Sequence, residues 1–175
     1  EKNVYLREGI LVSLMKVDEF LRKKGLCLFI RNGYRSIELQ KAAIATWKNV
    51  DVKRRFSHSL YPPHSTGGAF DLEIFDIRAG DCLKTKDKEV DGIYPYQELE
   101  KRDNLDEMWI EIRGNIRLLY NLLTKPYVLE KDEVFTSNPY EHWHFERGTR
   151  HAKFFSYNRY KVIYDVIESN VPCLH

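Results

Sequence analysis

Eight residues constrain this chain more than any other stretch: His64-Ser65-Thr66-Gly67-Gly68-Ala69-Phe70-Asp71. His64 and Asp71 are seven residues apart, and a fully extended backbone would hold them about 23 Å from one another. They can serve one site only if the chain folds back between them, and Gly67-Gly68 supplies the torsional freedom for that reversal. Beyond the glycines, residues 69–75 alternate: Phe70, Leu72 and Ile74 fall on one face, Asp71 and Glu73 on the other. This spacing predicts a half-buried strand with Asp71 near its start, aimed into whatever the turn encloses. The same residues also fit a plain glycine turn feeding a strand, with His64 and Asp71 merely polar.

A second segment, Glu141-His142-Trp143-His144, lies far away in sequence. The chain has six histidines, and three of them fall within these two segments beside acids. A catalytic metal of the zinc type takes three protein ligands, keeps a position open for water and needs a base nearby, so a metal site is the leading reading. On a regular strand His142 and His144 share one face, which would make a His-x-His pair, while Glu141 shares the other with Trp143 and Phe145. If the strand is bulged or only beginning, Glu141 and His144 converge instead, one as base and the other as ligand. Period alone does not choose between His142 and His144. Pro139 and the polar run Thr136-Ser137-Asn138 suit a strand start here.

Four elements in order carry a family resemblance. His64, Gly67, Ala69 and Asp71 match the pattern S-x-H-x-x-G-x-A-x-D, and Glu141, Trp143, His144 and Phe145 match E-x-W-H-F. A Tyr-Arg pair followed by a glutamine appears as Tyr34, Arg35 and Gln40, and an Asn-x-Arg-Leu-Leu helix as Asn115, Arg117, Leu118 and Leu119. In these residues the chain resembles the zinc D-alanyl-D-alanine dipeptidases of the vancomycin-resistance type. More loosely it resembles the zinc D,D-carboxypeptidases and cell-wall endopeptidases.

The resemblance implies one Zn2+ per chain held by His64, Asp71 and His144, with Glu141 as catalytic base and Arg35 stabilising the charged intermediate. That chemistry is coherent: zinc acidifies a bound water, Glu141 takes its proton, and zinc and a fixed cation hold the oxyanion that develops. Arginine suits the last role because it stays charged and presents a rigid fork of donors. His142 occupies a position usually aromatic in these dipeptidases and is read either as supporting a ligand from behind or, with Tyr34, as substrate-facing. Two departures bear on substrate. Pro62 replaces the serine that opens the first pattern, removing a hydroxyl and a backbone donor. The aspartate that would hold a dipeptide's ammonium group aligns by composition with Asp106 and by spacing with Gln97, which cannot pair with a charge.

The remaining features agree with a single zinc peptidase domain over residues 1–175. Lys plus Arg number 28 against 26 Asp plus Glu, and the net charge of +2 gives no nucleic-acid signature. No apolar run reaches the length of a membrane span. The chain begins at Glu1 rather than Met, so periplasmic or extracellular placement is favoured slightly over cytoplasmic. Cys27, Cys82 and Cys173 are odd in number and widely spaced, so no disulfide framework is expected, and Cys27 reads as a small core residue.

Periodicity predicts an α+β fold, a small central antiparallel sheet flanked by helices with the zinc site in a cleft on the sheet. Helices are expected near residues 8–23, 37–47 and 105–123, the last weakened by Gly114, with strands at 26–30, 69–75 and the Glu141 segment. A loop over 78–102 could overhang the cleft, and the tail 154–167 reads as a partly buried helix. The expected function is zinc-dependent hydrolysis of D-Ala-D-Ala or related small cell-wall peptides. A D,D-carboxypeptidase or peptidoglycan endopeptidase is the alternative, and a zinc-binding domain that does not catalyse is the alternative of another class.

Overall fold

Ile10, Leu14, Val17 and Leu21 recur at helical spacing, and helix α1 (Glu8–Arg22) buries all four. The computed structural model describes residues 3–46, 63–85, 100–138, 141–147 and 164–168. Gly25, at φ 73°, ends the helix in the left-handed conformation that glycine adopts without penalty. Buried Asp18 ties α1 to the following strand: it accepts the Leu28 backbone N–H at 2.7 Å and the Arg22 Nε at 2.7 Å.

Strand β2 (Leu26–Asn32) starts a five-stranded antiparallel sheet. Helix α2 (Ile37–Thr46) follows, then a single 3-10 turn (Pro63–Thr66), strand β3 (Ala69–Asp76) and the two-residue β4 (Asp81–Cys82). Helix α3 (Glu107–Thr124) precedes β5 (Thr136–Asn138) and β6 (Glu141–Glu146). The strand order is β2-β3-β6-β5, with β4 also paired to β3. The sheet and its helices make the expected α+β architecture.

The alternation in β3 is realised. Phe70, Leu72 and Ile74 join α1 and Leu119, Leu122 and Leu123 of α3 in one apolar core. Each fully buried side chain of this size contributes roughly 1.5–3 kcal/mol. Asp71 and Glu73 therefore occupy the opposite face of the sheet. Gly114 does not interrupt α3, which runs unbroken from Glu107 to Thr124.

Three expectations need correction. A strand β1 (Asn3–Arg7), not foreseen, pairs antiparallel with β7 (Tyr164–Glu168), so the end of the expected tail helix is a strand; residues 154–163 lie outside the described ones. Val4 and Leu6 of β1 are buried in the core, and a remote partner strand outweighs the local helical period. Cys27 is disulfide-bonded, with a partner outside the described residues, and Cys82 is a free thiol. Finally, Thr136-Ser137-Asn138 is itself an edge strand rather than a lead-in.

Candidate metal centre

Cross-strand register makes the choice that sequence period left open. Asp71 of β3 stands directly opposite His144 of β6, and Phe70 opposite Phe145. Directly opposed residues point to the same side of an antiparallel pair. Phe70 and Phe145 accordingly stack in the core with centroids 6.3 Å apart, while Asp71 and His144 emerge together on the other face. Pairing of β5 with β6 jumps from Ser137↔Phe145 to Asn138↔Glu141, an irregularity that spans His142-Trp143-His144. It breaks the simple alternation, which is the bulged case in which Glu141 and His144 converge.

The 3-10 turn brings His64 to the same place. Gly67, at φ 67°, makes the reversal, and a Cβ on Gly68 would lie 2.6 Å from the Arg147 carbonyl oxygen and 2.5 Å from Arg7 Nη2. The double glycine therefore serves both the turn and a close approach. The His64 Nδ1 lies 2.8 Å from the Gly33 carbonyl oxygen. A carbonyl only accepts, so Nδ1 carries a proton, and Nε2 is the ring atom turned toward Asp71 and His144.

Three donor atoms then form a small triangle. His144 Nδ1 is 3.0 Å from Asp71 Oδ1, His64 Nε2 is 3.3 Å from the same oxygen, and the two ring nitrogens are 3.2 Å apart. Donors about 2.0–2.1 Å from an ion at tetrahedral angles lie about 3.3–3.4 Å from one another. The triangle thus has about the size of one face of a tetrahedral donor set, slightly contracted. All three residues are buried, with relative exposures of 6% for His64, 8% for Asp71 and 5% for His144. This group can hold one metal ion, and among the described residues it supplies three protein donors.

The electrostatics follow from that crowding. Burial works against the Asp71 carboxylate, yet hydrogen bonds from His144 and His64 more than offset it and hold the carboxyl well below its usual range. Burial likewise opposes the charged form of His144, and the Asp71 carboxylate outweighs it, leaving the imidazole raised. Glu141 is raised chiefly by burial and sits close enough to feel the charges of His144, Asp71 and His64. Its Oε2 accepts a hydrogen bond from Asn138 Nδ2 at 2.8 Å.

The other candidates fall in different places. Arg35 adjoins the centre through its backbone N–H, which donates to the His64 carbonyl at 3.3 Å, and its Nη1 donates to Gln40 Oε1 at 2.8 Å. The glutamine of the third sequence element therefore fixes the arginine. Tyr34 donates its backbone N–H to the Tyr5 carbonyl at 2.7 Å. His142 is half-buried, its ring edge-on to Trp143 at 4.6 Å, outside the metal-ligating group. Asp106 is the N-cap of α3 and accepts the Trp109 N–H at 3.0 Å. Gln97 lies outside the described residues. The fourth element acts away from the triangle: Asn115 Nδ2 donates to the Lys84 carbonyl, and Arg117 grips Glu100 through two hydrogen bonds.

Two supports were not foreseen. Asn32 Nδ2 donates to Asp71 Oδ2 at 3.0 Å, turning Oδ1 toward the histidines, and the Gly33 carbonyl orients His64. Both come immediately before Tyr34-Arg35, a nearness to the recognised pair that could have flagged them. A cleft of about 350 Å³, lined by Arg31, Asn32, Asp71, Glu73 and Trp143, opens beside the triangle. No protein-family model matches the chain, and no curated protein matches it in sequence.

Proposed function

We propose that this chain is a zinc-dependent hydrolase of small D-amino-acid peptides, of the kind found in bacterial cell-wall stems. The observation that carries the reading is the buried His64–Asp71–His144 triangle with the raised Glu141 carboxyl beside it. Two imidazoles and one carboxylate suit zinc, and a ligand set of three is the catalytic rather than the closed structural pattern. Bound zinc supplies Lewis-acid polarisation and a water acidified toward neutrality.

The chain's own groups provide the rest. Asp71 and the two histidines would hold the ion, with Asn32 bonded to Asp71 and the Gly33 carbonyl bonded to His64 to orient them. Glu141 receives a proton from the attacking water and returns it to the leaving amine, a role served by a carboxyl whose pKa burial raises from its ordinary value. Arg35, steadied by Gln40, is the cation available to a developing oxyanion. The disulfide at Cys27 fits an oxidising compartment.

The test is release of free D-alanine by zinc-loaded protein from D-Ala-D-Ala and from the same dipeptide blocked at its amino end. Faster release from the free dipeptide supports a dipeptidase. The capping role of Asp106 favours the second reading, a D,D-carboxypeptidase or endopeptidase, for which the blocked peptide is the better substrate. Retained zinc with no release from either peptide would refute the hydrolytic reading and leave a non-catalytic zinc-binding domain.

A further inference from the structure

The β2–β3 ladder runs regularly from Leu26↔Asp76 to Ile30↔Leu72, then passes to Asn32↔Asp71. Arg31 is thus an inserted residue, and Arg31 and Asn32 together oppose Asp71. A bulge of this kind re-aims side chains, and both residues line the cleft beside Asp71. Asn32 is explained by its bond to Asp71; Arg31 is not. Glu73 shares the face of Asp71 two residues further along, about 7 Å away. Its Oε2 accepts from Arg31 Nε at 2.7 Å and lies 2.5 Å from Nη2. Phe29 lies beneath the guanidinium, its centroid 4.4 Å from Arg31 Cζ. The arginine is therefore held in one orientation by an acid on its Nε edge and a ring on its flat face. A guanidinium has five N–H donors; Glu73 engages Nε and one side of Nη2, and among the described residues the remaining Nη1–Nη2 edge meets, besides that acid, a weak 3.9 Å contact from Nη2 to Cys82 Sγ. The Arg31 side chain is 48% exposed, that of Glu73 15%.

We infer that this cleft is a substrate subsite in which Arg31 takes a carboxylate of the bound peptide, with Glu73 as its positioning residue and Trp143 as the apolar wall. The inference rests on the hydrolase reading for its choice of ligand. The placement suits it, because Asp71 of the triangle and Arg31 line the same cleft, so a peptide held at the triangle enters the space that Arg31 borders. A fork already oriented recognises a carboxylate bidentately without first losing its own freedom.

The test uses zinc-loaded Glu141→Gln protein, so that peptide survives titration, and compares an N-acetylated D-Ala-D-Ala as free acid with its carboxamide by calorimetry. The free acid should bind about tenfold to a hundredfold more tightly. Adding Arg31→Met should erase that preference while zinc content and the carboxamide affinity stay unchanged, and Arg31→Lys should restore part of it. An equal fall for both peptides, a preference that survives Arg31→Met, or no binding of either peptide would overturn the subsite. Hydrolysis by the wild-type chain is read separately. A preference that depends on Arg31 without any turnover would sink the hydrolase reading and leave the subsite standing.

Discussion

Asn32→Ala isolates what the surroundings of a metal ligand contribute. The substitution removes the 3.0 Å bond to Asp71 Oδ2 and leaves His64, Asp71 and His144 in place. Hydrogen bonds to charged groups are worth about 1.5–3 kcal/mol. Asn32 is exposed at the cleft edge, where water replaces part of the lost bond, so the lower figure applies. About 1.5 kcal/mol corresponds to roughly a tenfold loss of zinc affinity, the lower end of the usual range for such supporting groups. The assay is competition against a chromogenic chelator, with thermal unfolding of the metal-free protein as control. Fold stability should barely move, because one exposed side chain is lost. Unchanged affinity would mean that Asp71 is oriented without Asn32. A loss as complete as that of Asp71→Ala would mean that Asn32 does more than orient Asp71 and is itself required to hold the ion.

Gly33→Ala should act through the backbone: a Cβ there would lie 2.5 Å from both the Tyr5 carbonyl oxygen and Val4 Cγ1. A destabilisation of roughly 1–3 kcal/mol in urea unfolding is expected, with weaker zinc binding as the carbonyl that orients His64 shifts. Glu141→Gln should retain zinc and lower kcat by roughly 10²–10⁴-fold; near-wild-type turnover would remove Glu141 from the chemistry. pH should act oppositely on two observables. Asp71 is depressed, so its share of metal-free stability is present above its unfolded value of about 3.9 and lost as pH falls through the folded one. His144 is raised, so its share is present below about 6.5 and lost as pH climbs through its folded value. Zinc affinity should instead rise across that same climb, because the ligand must shed its proton. Urea melts of chelator-treated protein and zinc titrations across pH 3–9 would separate the two trends.

Local period made the sheet face legible at Asp71, because a half-buried strand alternates and the acid sits out of phase with Phe70, Leu72 and Ile74. The double glycine was legible for the same reason that it is needed, since His64 must return to Asp71. The selection of His144 over His142 was not legible in strand period and came only from the match of Glu141, Trp143, His144 and Phe145 to a family pattern. It depends on register against β3 and on an irregularity opposite β5, and both arise from strands distant in sequence. Arg31 was hidden by another bulge, which shows only once β2 is paired. The end of the tail was misread because its aromatic and aliphatic spacing fits a helix, whereas Tyr164–Glu168 answers to β1 near the other end of the chain. The Cys27 disulfide likewise joins residues that no local pattern connects.

The central claim is that His64, Asp71 and His144 together hold one zinc ion. The most direct measurement is zinc per chain, by atomic emission after exhaustive dialysis, in the wild type and in His144→Ala. The account gives one zinc per chain in the wild type and close to none in the variant, with both proteins folded by circular dichroism. Equal zinc in the two proteins, or none in a folded wild type supplied with the metal, would contradict it.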